Sequence, residues 1–145
     1  MQDEKVRFYN TIGNAKDIAL VKKVIELTLS DLVRKQDRFI IFKSFVESGP
    51  EGRHYVWNYI KKNIDSLPAQ LGSATLLGRI FNSILKSQSS MEVHKEAEKL
   101  FSDHPFECEM AIKQSLEEIT IRNNLLVREG DKIVEFFKSI DSELI

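Results

Sequence analysis

The stretch at residues 49–67, a break followed by an amphipathic helix, constrains this chain more than any other. Its Gly-Pro-x-Gly run at 49–52 stops a preceding helix, because proline cannot continue one and glycine favours a turn. Apolar residues then recur at steps of four, four and three, at Val56, Ile60, Ile64 and Leu67. This spacing predicts a helix with one buried face, followed by a bend at Pro68 and Gly72. Trp57, the only tryptophan, is predicted to be a packing anchor.

Helical spacing recurs along the rest of the chain, and no segment shows the period-two alternation of a strand. Further helices are predicted near residues 3–12, 18–29, 36–48, 73–84, 92–101, 108–126 and 133–140. Asn14 or Asp17 is expected to cap the second of these helices, and Ser73 a later one. The third, near 36–48, carries apolar residues on more than a narrow stripe, which predicts burial on two sides. The Gly130-Asp131 pair is expected to separate the last two helices.

Eight or nine helices joined by short loops favour antiparallel neighbours. Because the helices fall into consecutive pairs, we predict an all-α fold, a HEAT-like stack of antiparallel helix pairs that forms a fragment of a right-handed superhelix. No sequence motif repeats, so this arrangement depends on helix pairing alone. The length of 145 residues is that of one domain, and we predict a single helical domain over residues 1–145.

Composition and charge exclude several classes of function. The 22 acidic and 21 basic residues are mixed along the chain and leave a net charge of −1, which argues against a nucleic-acid partner. Neither a long apolar run nor an apolar signal core is present, so we predict no membrane partner and assign no compartment. The single cysteine, Cys108, excludes an intrachain disulfide and is predicted to be a buried thiol on an apolar stripe.

The sequence shows no catalytic constellation. A zinc peptidase helix needs His-Glu-x-x-His, because residues four apart share a helix face, and His54, His94 and His104 all lack such a partner. The charges around His94, Glu96 and Glu98 alternate, which favours a solvated helix face over a metal site. No glycine-rich phosphate-binding motif occurs. We therefore predict no catalytic residue, no metal ligand and no cofactor in this chain.

Several segments, taken in order, resemble the C-terminal helical domain of the M1 family of zinc aminopeptidases. The matching positions are Gln36-Asp37, Gly52, Trp57, Asn58 to Asn63, Leu67, Leu100-Phe101, His104-Pro105, Ala111 to Ile119 and Asn123-Asn124. The family carries a Gln-Asp pair, an Asn-Pro-x-Gly run and a tryptophan-containing helix, and later a Phe-Phe segment before another helix. Ile64, and Leu125 or Leu126, stand where the family often has tryptophan, which marks a divergent member.

The resemblance implies a bowl of HEAT-like helix pairs that closes over the active site of a larger enzyme. It also implies that zinc and the Gly-x-Met-Glu-Asn substrate-anchoring motif lie in a separate catalytic domain, since neither that motif nor His-Glu-x-x-His occurs here. The implied function is that of a non-catalytic domain that encloses the active-site chamber and assists peptide binding or regulation. The implied partners are the peptide substrate and the catalytic domain of the parent enzyme.

Arg53, Tyr55, Tyr59 and Lys62 are the candidate peptide-binding residues, because they lie on one predicted helix and a cation can pair with a peptide carboxylate. The alternative function is that of a free-standing helical-repeat module for protein–protein interaction. Its sign would be an exposed apolar face on the first helix, at Val6, Phe8 and Ile12.

Overall fold

The computed structural model describes residues 2–15, 17–105 and 109–143. The spacing of apolar residues and the capping residues account for most of the helix boundaries. These ranges hold eight helices and no strand, which confirms the all-α prediction. The helices are α1 (Gln2–Ile12), α2 (Ile18–Leu29), α3 (Lys35–Glu47), α4 (Pro50–Asn63), α5 (Leu67–Leu71), α6 (Ala74–Leu85), α7 (Met91–Asp103) and α8 (Glu109–Glu143). Cys108 lies outside the described residues.

Polar side chains cap the starts of three helices. Asp17 accepts a hydrogen bond from the Ala19 N–H (2.8 Å) at the start of α2, and Ser73 accepts one from the Leu76 N–H (3.2 Å) at the start of α6. Ser90 caps α7 in the same way. Each cap satisfies an N–H group that has no partner within its own helix.

Two boundaries differ from the prediction. Leu67 belongs to the short helix α5 rather than to α4, because Pro68 fits the first turn of a new helix, where its missing N–H is not needed. The predicted break at Gly130-Asp131 is wrong, since α8 continues through it over 35 residues. A single glycine lowers helix stability by only about 1 kcal/mol, so the flanking helix formers can outweigh it.

The length of α8 does not make it a membrane span. Within the described ranges, no helix combines sufficient length with sufficient apolar character to cross a bilayer.

Helix α3 lies at the centre of the fold and packs against α1, α2, α4, α5 and α6. Its buried apolar side chains are Ile41, Phe42, Phe45 and Val46, and the exposed fraction of each residue is 2% or less. Together with buried Ser44, these residues cover an arc of about 200° around the helix axis, far wider than a narrow stripe. Since five helices pack around α3 as well, the prediction of a helix buried on two sides is confirmed.

Other contacts follow the order of the chain. Neighbouring helices pack at α5–α6 and α7–α8, and helices two apart pack at α1–α3 and α6–α8. This pattern is consistent with stacked helical hairpins. The HEAT-like character of the stack stays a prediction.

The Gly-Pro-x-Gly run determines how α4 meets α3. Gly49 has φ 149°, a conformation that residues with a side chain rarely adopt, and α4 begins directly after it. A Cβ atom on Gly52 would lie 2.3 Å from the Phe45 carbonyl oxygen of α3. Any side chain at this position would therefore push the two helices apart.

Arg38 is a buried cation, only 5% exposed, whose guanidinium joins three segments of the chain. Its Nε donates to the Val33 carbonyl (3.1 Å), its Nη2 to the Ser30 carbonyl (2.8 Å) and its Nη1 to the Gln70 carbonyl. Ser30 and Gln70 lie at the C-terminal ends of α2 and α5, where helical carbonyls lack partners within the helix. The guanidinium thus holds the C-terminal ends of α2 and α5 against α3.

Replacing this guanidinium should destabilise the protein. Arg38→Met should lower the free energy of unfolding by about 2–4 kcal/mol, because the Val33, Ser30 and Gln70 carbonyls, all at least partly buried, lose their charged donor. Urea unfolding followed by far-UV circular dichroism measures the loss. The control is Arg79→Met on the exposed face of α6. An equal loss in both variants would contradict a special role for Arg38.

Candidate functional site

A cavity of about 890 Å³ opens beside one face of α4. This helix contributes His54, Tyr55, Asn58, Tyr59 and Lys62 to the lining. Their spacing of three and four residues places them on the side opposite the buried Val56 and Ile60. Residues 48–52, which include the first turn of α4, also line the cavity, as do residues 13–15 and Val21, so the lining comes from three separate segments of the chain.

Three of the four predicted peptide-binding residues line this cavity, namely Tyr55, Tyr59 and Lys62. Arg53 does not line it, because its Nη1 donates to the Ser87 carbonyl (3.2 Å) in the turn between α6 and α7. The fold thus brings together the two tyrosines and the lysine and directs the arginine elsewhere. A peptide-binding role for these residues stays a prediction.

The two tyrosines present neutral hydroxyl groups. Burial raises the pKa of the Tyr59 phenol, and the neighbouring Tyr55 and Glu26 raise it further. Burial and Glu26 also raise the pKa of the Tyr55 phenol. Both phenols therefore stay protonated at neutral pH and can donate hydrogen bonds. Exposed Lys62 adds a positive charge to the same face.

Sequence reasoning missed His54 and Asn58, which also line the cavity. Asn58 Nδ2 lies 2.8 Å from His54 Nε2, so the two side chains form a polar pair on the helix surface. Their spacing relative to Tyr55 and Tyr59 is helical, and it could have identified them. Nothing in the local sequence could have indicated Val21 or the 13–15 loop, because tertiary packing brings them to α4.

The other side of α4 is anchored by Trp57, which is only 3% exposed and packs edge-to-face on Phe81 at 6.3 Å. The predicted packing role of this tryptophan is confirmed. Its Nε1 donates to Glu96 Oε2 (2.9 Å) on α7, and Lys61 Nζ donates to the same oxygen (2.7 Å). These two hydrogen bonds lower the pKa of the Glu96 carboxyl. Glu96 thus joins α7 to α4 and does not merely face solvent.

A zinc ion does not fit the described residues. Over residues 2–15, 17–105 and 109–143, no three histidine, cysteine, aspartate or glutamate side chains are close enough together to hold a metal. His54 lies beside Asn58, and His104 Nδ1 lies 3.0 Å from Asp65 Oδ1. Neither pair supplies the three or four ligands of a zinc site.

Comparison with known proteins identifies the family. A family model described as "ERAP1-like C-terminal domain" matches residues 1–121. The chain therefore belongs to the C-terminal domains of M1 aminopeptidases, and the resemblance inferred from its sequence is confirmed.

The relatives are much longer aminopeptidases. Aminopeptidase M1-B of Oryza sativa subsp. japonica is 28% identical over 119 residues, which are 81% of this chain and 13% of that protein. Aminopeptidase M1-C of the same organism is 27% identical over 120 residues, again 13% of its length. Aminopeptidase 2, mitochondrial, of Saccharomyces cerevisiae is 25% identical over 138 residues, which are 94% of this chain and 14% of that protein. The chain thus spans only a small part of these relatives.

The contact between α7 and α4 should weaken in acid. Because folding lowers the pKa of Glu96, this carboxylate stabilises the fold above its unfolded pKa, and the stabilisation is lost as the pH falls through the folded pKa. The effect should be small, since the Glu96 side chain is half exposed. Urea midpoints between about pH 7 and 3 should fall less steeply in Glu96→Gln than in wild type.

The control for this experiment is Glu117→Gln, at an exposed position on α8. It should retain the wild-type dependence of the urea midpoint on pH. Identical pH profiles for Glu96→Gln and wild type would refute a stabilising role for the Glu96 carboxylate.

Proposed function

We propose that this chain is a non-catalytic helical domain that helps to enclose the active-site chamber of an M1-type zinc aminopeptidase and binds part of the peptide substrate. The observation that carries the proposal is the cavity beside α4, where Tyr55, Tyr59 and Lys62 come together. Membership of the aminopeptidase family supports it, as does the fact that the chain spans 13–14% of the length of its relatives.

The chemistry of the cavity suits a peptide. Neutral phenols on Tyr55 and Tyr59 can donate hydrogen bonds to peptide carbonyl groups, and their rings offer apolar surface to side chains. Lys62 can pair with a carboxylate. A volume of about 890 Å³ is in the upper part of the range for small-ligand sites. The cavity can therefore hold a short peptide segment.

Such a domain contributes to catalysis by positioning the substrate. A concave helical surface excludes water from the chamber and orients an extended peptide, while the reaction takes place elsewhere. In this proposal the partners of the chain are the peptide and the catalytic domain of its parent. Zinc belongs to that catalytic domain and takes no ligand from this chain.

A second candidate function is that of a free-standing helical module that binds another protein. Phe8 on α1 is 59% exposed, which favours it, whereas Val6 and Ile12 are half-buried. The apolar face expected on the first helix is therefore only partly exposed. This second function would need no peptide carboxylate and no contribution from Lys62.

Peptide binding is tested by NMR chemical-shift mapping of the whole chain with short peptides that have free or amidated C-termini. Free-carboxylate peptides should shift signals of Tyr55, Tyr59 and Lys62 at millimolar concentration, and amidated peptides should shift them less. Lys62→Gln should weaken binding of the free-carboxylate peptide about twofold to fivefold, because an ion pair with an exposed lysine contributes at most about 1 kcal/mol.

Lys95→Gln is the matched control, because Lys95 is an exposed lysine on α7 that does not line the cavity. It should leave binding unchanged. Absence of any shift at millimolar peptide would contradict peptide binding and favour the protein-binding module. Equal effects of the two lysine substitutions would show that only overall charge matters.

The purified chain should hydrolyse no aminopeptidase substrate, with or without added zinc. The physical reason is that its described residues supply no zinc-binding set and its sequence lacks His-Glu-x-x-His. Release of a chromogenic amine from an amino-acid anilide measures this. Zinc-dependent turnover that co-purifies with the chain through two chromatographic steps would overturn the non-catalytic assignment.

A further inference from the structure

Helix α8 carries apolar residues on two surfaces that lack a packed neighbour among the described residues. On the first half of the helix, Ile121 and Leu125 are 66% and 46% exposed and lie one turn apart. On the second half, the exposed residues Ile133, Val134, Phe137 and Ile140 follow helical spacing. Contiguous exposed apolar surface usually marks a site that packs against another polypeptide segment or a membrane.

The packed part of α8 ends near Arg122. Before it, Ile112, Ser115 and Ile119 are buried against the rest of the fold. Arg122 itself donates through Nη1 to the Leu85 carbonyl at the end of α6 and to the Gln88 carbonyl in the turn that follows. From residue 124 to residue 140, no side chain is buried. The second half of the helix therefore projects beyond the body of the domain.

Gly130 and Asp131 lie between the two apolar surfaces, at the point where a helical hairpin would turn. Glycine is the preferred residue just after a helix end, and aspartate is a preferred cap at the start of the next helix. A Cβ atom on Gly130 would meet nothing within 4 Å, so close packing does not explain this glycine. A glycine in an exposed helix interior is instead unfavourable relative to alanine.

We propose that Gly130-Asp131 is a hinge, and that α8 exchanges between the straight helix and a hairpin. In the hairpin, residues 131–143 form a separate helix that folds back along residues 109–129 of the same chain. A turn of two residues is enough to connect antiparallel helices. The occupant of the exposed Ile121 and Leu125 surface is thus the C-terminal segment of this chain itself.

The register of such a hairpin brings the two apolar surfaces together. With the turn at Gly130-Asp131, Phe137 comes level with residues near 124, and Ile140 comes level with residues near 121. Residues Ile133 to Ile140 span about 10 Å along the helix axis, which is longer than the single helical turn between Ile121 and Leu125. Folding back would therefore remove both surfaces from water, which is the driving force for the closed state.

The test is a distance measurement by pulsed electron paramagnetic resonance. Nitroxide labels are attached at Glu117→Cys and Lys138→Cys, both exposed positions, in a chain with Cys108→Ser. In the straight helix the two backbone sites are about 30 Å apart, at roughly 1.5 Å per residue. In the hairpin they lie less than about 20 Å apart, since packed helix axes are roughly 8–10 Å from each other.

We expect both the long and the short label-to-label distance in the wild-type background. The short distance should persist when labelled protein is diluted into unlabelled protein. Gly130→Ala should reduce the ratio of short to long distances about fivefold, because alanine favours the continuous helix. Gln114→Ala, at an exposed position that is helical in both states, is the control and should leave the ratio unchanged.

Three results would overturn the proposal. The first is a single distance near 30 Å. The second is a short distance that disappears on dilution with unlabelled chain, because it would then come from exchange of the segment between two copies. The third is a distance ratio that Gly130→Ala leaves unchanged.

Discussion

Burial of α3 on several sides is the constraint on which the rest of the fold depends. Five other helices pack against it, and its Phe42 and Phe45 side chains are fully enclosed. Loss of a large aromatic from such a position would leave a cavity that no single neighbour could fill, because each neighbour is held by its own contacts. These five helices are therefore positioned by their common contact with α3 rather than by a series of independent helix–helix pairs.

The contacts that α4 makes with the rest of the fold determine which of its residues face the cavity. Gly52 allows α4 to approach the backbone of α3 closely, and Trp57 fixes the rotation of α4 about its own axis through Phe81 and Glu96. With one face fixed in this way, the opposite face must present Tyr55, Tyr59 and Lys62 to the cavity. The residues that shape the site thus lie mostly on the side of the helix away from it.

Local signals in the sequence predicted what depends on local interactions. Apolar spacing and the capping residues Asp17 and Ser73 indicated the helices, and helical spacing on α4 indicated Tyr55 and Tyr59. Contributions from distant segments were not predictable in this way, as the role of Val21 in the cavity wall shows. The helix α5 was missed because it is only five residues long, and the break expected at Gly130 was wrong because a turn signal alone does not impose a turn.

The guanidinium of Arg38 has a consequence for how the chain folds. Its carbonyl partners on Ser30 and Gln70 lie on opposite sides of it in sequence, and the second is separated from it by 32 residues. In a partly folded intermediate, Arg38 could be buried before the Gln70 carbonyl is in place to accept its hydrogen bond. Its positive charge would then have neither water nor a full set of protein acceptors, which is strongly unfavourable. Such intermediates are therefore disfavoured. The first half of the chain is consequently expected to acquire its structure cooperatively with α5 rather than helix by helix.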